Sequence, residues 1–369
     1  MSRKIGDRVV DKFDVRVLGL IIFMSVVEFE VFVFARGVVA ISEQDAWISI
    51  LVGTAFLAIN AYILVSLASR FPKENFFEYC PKVWGKPMAG LIKIGYLIYW
   101  FVTLSIIIED FSTANKAVFL PETPVIVPIL LLAIGAYWIV CYGLAAVTRF
   151  LQLMFIFLVI PLLLVAILGL SQVDIDNLKP FFGHSVGTIV KGGLVFAGIY
   201  QGLEIILFAV PFLNNKKKML KHAVIGVCAG TFFPLVLGIS AIGSVGVYSI
   251  KESVWPGIDT VSMIALPGFP VERYELFLTM PWLIATFTTI CIFLYLLSYG
   301  IKEVFHIKYR KVTIALSVLL AVIAARMIPN YAWALKIRNY LTMATFAFIA
   351  ILPLLTLIVA IVRRKEEVH

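Results

Sequence analysis

The sequence predicts an all-α membrane protein of about ten transmembrane helices, and three observations lead to that class. Of the 369 residues, 62% are hydrophobic and only 14% charged, an apolar share that a soluble domain cannot bury. Apolar runs of roughly 20 residues, each about long enough to cross a hydrocarbon core of roughly 30 Å, recur along nearly the whole chain. The Lys and Arg residues behind the net charge of +9 sit in short loops between those runs. There they read as topology signals for a lipid bilayer and not as a nucleic-acid surface.

Taken in order, the apolar runs place spans at 16–40, 47–68, 88–116, 124–142 and 146–170, then 186–212, 222–248, 275–300, 312–327 and 340–362. The chain reads as a single transmembrane domain of two five-span halves, 1–170 and 171–369. The segment from Ser249 to Tyr274 is punctuated by Trp255-Pro256-Gly257 and Pro267-Gly268, which predicts a re-entrant or interfacial stretch. Basic residues at the N-terminus, in the 70–86 loop, in the Lys216, Lys217, Lys218, Lys221 cluster, in the 302–311 loop and at Arg363-Arg364-Lys365 fall on one side. The positive-inside rule makes that side cytoplasmic, with both termini on it. The first apolar run is too long for a signal-peptide core and lacks a clear cleavage site, so it reads as a retained span. Cys80, Cys141, Cys228 and Cys291 show neither a disulfide framework nor metal spacing.

Polar groups inside the apolar runs are the candidate functional residues. Glu28-Phe29-Glu30, followed by Val31, interrupts the first span about 12 residues past Arg16, roughly 18 Å along a helix and close to the bilayer midplane. A carboxylate there costs about 2.5 to 3.5 kcal/mol on insertion scales, so it faces protein, water or a cation, or is protonated. The sixth span carries Gly198-Ile199-Tyr200-Gln201-Gly202-Leu203-Glu204 at its centre. Glycines there either let the helix unwind or form a helix-packing face with no ligand. Ser105 in the third span and Thr286 and Thr289 in the eighth are candidate hydroxyl donors to a central cavity, although such hydroxyls often bond their own helix. Glu109 and Asp110 mark the outer end of the third span as an entrance or a polar rim, and Lys93 and Lys191 read as snorkelling anchors.

Interruptions in the first and sixth of ten spans occupy corresponding positions in halves that cross in opposite directions. That is the inverted-repeat pattern of secondary transporters, whose broken helices meet at a midplane site. The free amides and carbonyls of such breaks hold the charged ends of small ligands. No catalytic pattern competes: the four histidines are scattered, and HExxH, Walker and dinucleotide-binding motifs are lacking. The expectation is a protein that is not an enzyme and needs no cofactor.

Several local patterns then carry a resemblance. They are Arg36 with Asp45-Ala46-Trp47, Arg70-Phe71-Pro72 with Glu78-Tyr79 and Gly85-Lys86, Leu120-Pro121-Glu122-Thr123-Pro124, and Tyr142-Gly143 with Arg149. Asn177-Leu178-Lys179-Pro180, Gly202-Leu203-Glu204 with Pro211, and Val271-Glu272-Arg273-Tyr274-Glu275 before Trp282 complete the set. In this order they resemble the B subunit of spore germinant receptors, the GerAB-type group of the amino acid-polyamine-cation transporter superfamily. The resemblance implies a LeuT-like fold used as a nutrient sensor in the inner spore membrane, with an A subunit and a lipoprotein C subunit as partners. It also implies that Gly202 and Glu204 are site residues. The first span departs from the family pattern, with Glu28 and Glu30 where glycines are expected and Ala35 in place of a proline. Glutamate fills the room a ligand carboxylate would use and repels it, so the expected ligand is cationic, neutral or an ion. A working proton- or cation-coupled permease and a non-binding assembly scaffold are the competing readings.

Overall fold

A computed structural model describes residues 12–27, 30–262 and 275–366 of the chain. A short strand β1 (Phe13–Asp14) leads into α1 (Val15–Val26), capped where the Asp14 carboxylate accepts from the Arg16 amide at 2.8 Å. The first span resumes as α2 (Glu30–Ser42), so it is two helices, as the Glu28-Phe29-Glu30 interruption predicts. Span two is α3 (Ala46–Arg70), and α4 (Phe76–Trp84) follows in the loop, started by a capping box between Asn75 and Glu78. Span three is α5 (Lys86–Ala114), which relaxes into a π-helical turn at Asn115–Phe119. The fourth and fifth spans are α6 (Ile126–Cys141) and α7 (Leu144–Leu170).

The second set opens with α8 (Val186–Ile199), capped by the Ser185 side chain, and continues as the short α9 (Ile205–Ala209). A strand β2 (Leu213–Asn214) then pairs in parallel with β1, tying the start of span one to the end of span six. Span seven is α10 (Met219–Val245). Two short helices, α11 (Val247–Glu252) and α12 (Pro256–Ser262), occupy the described part of the Pro/Gly-punctuated segment read as re-entrant or interfacial. Spans eight and nine are α13 (Glu275–Phe305) and α14 (Arg310–Met327). Span ten runs through α15 (Tyr331–Thr345), a π-helical stretch Phe346–Ile351 and α16 (Leu352–Val362).

The chain is therefore a ten-span LeuT-like bundle with broken first and sixth helices. Among the described residues six helical stretches are long and apolar enough to cross a membrane, and the other helices are shorter or, like α14, carry more charge. Packing is helix on helix, with α3 against α8, α1 against α10, and α13 against α5 and α7. Large apolar side chains such as Leu131, Trp138, Leu153, Phe157 and Ile167 stay exposed on the outside, the reverse of a soluble surface. One boundary needs correction. The tenth span begins at Tyr331 and not at 340, because Arg338, taken from the sequence as loop, is buried against an acidic partner.

Candidate functional site

The sixth span breaks at residues whose backbone cannot continue a helix. α8 stops at Ile199, Tyr200 turns extended at φ −82° and ψ 104°, and Gly202 adopts φ +102°. Only glycine takes that last conformation without strain. Glu204 then closes the turn on itself: its Oε2 accepts from the Gly202 amide at 3.0 Å. Its Oε1 accepts from the Trp100 indole Nε1 of α5 at 3.2 Å. Glu204 and Trp100 are both fully buried, so each bond satisfies a group that would otherwise be costly to bury.

The two glycines of the sixth span divide the roles read from the sequence. Gly198 is still helical, and a Cβ there would lie 2.5 Å from the Phe346 ring and 2.7 Å from the Thr342 methyl. It serves the close packing of span six on span ten. Gly202 serves the break, and a Cβ there would lie 2.8 Å from Ser25 Cβ and 2.9 Å from its Oγ. Ser25 sits in the last turn of α1, just before the first-span interruption. The two broken helices thus meet at Gly202 and Ser25. An aromatic wall backs this junction: Phe77 stacks on Trp100 at 5.6 Å, and the Phe208 ring of α9 meets Trp100 edge-on at 5.1 Å. Tyr200, nearly fully buried, packs edge-on against Phe196 at 4.7 Å, and Gln201 is half-buried beside it.

With the junction in place, the likeness to known proteins becomes interpretable. The family model described as spore germination protein matches residues 12–332. The chain belongs to that spore germination protein family. Among its relatives, spore germination protein YndE of Bacillus subtilis is 31% identical over 72% of this chain and 73% of its own. Spore germination protein B2 of the same organism is 21% identical over 86% of each chain. Solved structures share the fold alone. A closed nucleobase-cation-symport-1 transporter, Mhp1, with bromovinylhydantoin bound covers 97% of this chain and 81% of its own at TM-score 0.64 and 14% identity. A sodium-coupled sialic acid symporter in a substrate-bound outward-open state covers 91% and 77% at TM-score 0.66 and 12% identity.

Within this germination protein the remaining predicted residues divide. Glu28 and Phe29 lie outside the described residues. Glu30 and Val31 form the first residues of α2, and their side chains lie outside the described ones. Ser105 donates to the Phe101 carbonyl of its own helix at 2.8 Å, the bland alternative for a hydroxyl in a span. Thr286 and Thr289 differ: both are buried on α13, and neither Oγ has a hydrogen-bond partner among the described residues. That helix packs against α1 as well as α5 and α7. Two orphaned hydroxyls at such a position are open to a ligand, a water or a cation.

Three functional side chains escape sequence reasoning. Trp100 is the indole donor to Glu204, but spans four and eight also carry tryptophans, so composition could not single it out. Arg338 of α15 pairs with Asp110 of α5, both buried, with Glu109 beside them accepting from Thr113 at 2.6 Å. This replaces the exposed rim with a buried link between spans three and ten. His184 is the third: its ring Nδ1 lies 3.1 Å from Asp45 Oδ2, which also accepts from the His184 amide at 2.9 Å, while Asp45 Oδ1 accepts from the Phe182 amide at 2.7 Å. Lys251 of α11 donates to Glu43 at 2.6 Å next door. Together these contacts clasp the loops between spans one and two, five and six, and seven and eight. Lys93, read as a snorkelling anchor, has its ammonium over the Phe77 ring at 5.6 Å.

Proposed function

We propose that this germination protein is the membrane subunit of a spore germinant receptor, sensing a small nutrient where its broken first and sixth spans meet. One observation carries the reading: the sixth helix is interrupted at Gly202, held open by Glu204, and seated directly on the end of α1 at Ser25. In a lipid environment, irregular backbone survives only when buried in protein or lining a cavity. Gln201 and Tyr200 in the sixth-span break, with Thr286 and Thr289, are the groups that would hold a ligand. Glu204 shapes the break, Gly198 sets the packing behind it, and Ser105 lies on the neighbouring third span.

Ligand binding then shifts the population of a transporter-like conformation, and partner subunits of the A and C types read that shift. The B2 and KB germination proteins of Bacillus subtilis are among the relatives, which supports assembly with other receptor subunits. The charge bias of the loops supports cytoplasmic termini, and the spore germination relatives support a place in the inner spore membrane. Glu28 and Glu30 direct the site toward a cationic or neutral ligand, or an ion. Germination of spores with and without this gene, measured across amino acids, sugars, nucleosides and salts, tests the reading. Loss of response to one class is the expected result, and unchanged germination with every class rejects the sensor.

A permease reading has one specific observation in its favour, the unpartnered hydroxyls of Thr286 and Thr289 on a fold shared with cation-coupled symporters. Uptake of the germinant by the purified protein in proteoliposomes separates the two: accumulation supports the permease, and binding without accumulation supports the sensor.

A further inference from the structure

On the side of α1 away from the sixth span, α1, α7 and α10 enclose a groove of about 920 Å3. Its apolar walls include Phe23, Phe155 and Phe232, with Phe23 and Phe155 meeting edge-on at 5.6 Å. Phe155 and Phe232 remain partly exposed, so the groove opens outward, where a membrane protein meets lipid. Its polar lining is confined to Arg16, Gln152 and His222, near the starts of α1, α7 and α10. All three belong to the same end of the bundle. The Arg16 side chain is 82% exposed, with Asp14 at 3.7 Å, and Lys217, Lys218 and Lys221 stand exposed just before His222.

We infer that this groove binds an anionic phospholipid, with an acyl chain along the phenylalanine rings and its phosphate at Arg16 and His222. A flexible chain fills the narrow space between rings, and burying it is favoured by any lipid. The basic mouth adds the selectivity, since guanidinium and imidazole N–H groups donate to phosphate oxygens and basic side chains favour an anionic headgroup. Asp14 offsets one charge, and Arg16 with the three lysines leaves the mouth positive. Occupancy of the groove braces α1, the helix whose far end meets Gly202.

The test uses the full chain in mixed micelles of phosphatidylglycerol and phosphatidylcholine at equal amounts, with retained lipid counted by native mass spectrometry. Wild type is expected to retain phosphatidylglycerol about fivefold over phosphatidylcholine, the equivalent of about 1 kcal/mol. The pair Arg16→Gln with His222→Gln abolishes that preference, and Lys308→Gln with Lys311→Gln, which removes two positive charges elsewhere at that end, leaves it intact. Ile225→Trp, which fills the groove, lowers retention of both lipids. Equal retention of the two lipids by wild type overturns the inference without reference to any variant. A preference that survives the Arg16 and His222 changes, or falls equally with the Lys308 and Lys311 changes, overturns it as well, the latter by assigning it to surface charge in general.

Discussion

At Gly202 a single hydrogen atom in place of a methyl group keeps two helices in contact. Its φ of +102° and the 2.8 Å approach of Ser25 both exclude a side chain. Gly202→Ala is therefore expected to cost about 1 to 3 kcal/mol in backbone strain alone, read as a lower melting temperature in detergent, and to abolish the germination response. A variant that melts and responds like wild type would remove Gly202 from the site. Trp100→Phe keeps the aromatic wall but strips Glu204 of one donor, and leaving a buried acceptor short costs about 1 to 3 kcal/mol. The two substitutions separate shape from hydrogen bonding: the Gly202 change loses stability and the germination response together, the Trp100 change stability alone. Both residues were differently legible beforehand. A glycine and a glutamate inside an apolar run announce themselves, whereas a tryptophan in a span looks like every other lipid-facing or packing aromatic.

Between elements, two electrostatic links set how the spans sit. The Asp110 and Arg338 pair joins α5 to α15 in a buried setting. Arg338→Met alone removes the cation that faces the buried Asp110 carboxylate and is expected to cost about 3 to 5 kcal/mol, whereas adding Asp110→Leu restores most of the lost stability. A double variant no more stable than the single one would rule out pairing as the cause. The outer clasp behaves differently because it is partly exposed. The hydrogen bond from Lys251, aided by the charges of Lys251 and His184 and opposed by desolvation, holds the Glu43 carboxyl below its usual range. A lowered carboxylate value contributes stability above the ordinary carboxylate range, lost as pH falls through the shifted value. The protection of the α11 amides, measured relative to their intrinsic exchange rate at each pH, is thus expected to fall in acid, and Glu43→Gln to remove that acid limb while lowering protection near neutrality. Protection unchanged from neutral pH to well below the carboxylate range would dissolve the clasp. Arg338 hid in the sequence because a cation near the start of an apolar run reads as loop, and only its acidic partner reveals its burial.

For the molecule as a whole, the proposed orientation, with the basic loops inside, would put Lys217 in the cytoplasm and Lys251 outside. In a cysteine-free background, Lys251→Cys is expected to react with a membrane-impermeant maleimide added outside, and Lys217→Cys only after permeabilisation. The opposite pattern inverts the topology and relocates the clasp. The parallel pairing of Phe13–Asp14 with Leu213–Asn214 joins the start of the first span to the end of the sixth, so the two interrupted spans are linked at that end as well as at Ser25 and Gly202. That link lies at the basic end of the bundle, directly before the lysine run.

The amino-acid sequence by itself determined the class, the number of spans and the two places where helices break, because hydrophobic length and intramembrane charge are local properties that need no partner to be read. The tertiary structure alone decided which glycine opens the sixth helix and which packs it, which indole holds Glu204, and that Asp110 meets Arg338. Each of those depends on what lies across a helix interface, and residues more than 100 positions apart become neighbours only when the bundle closes.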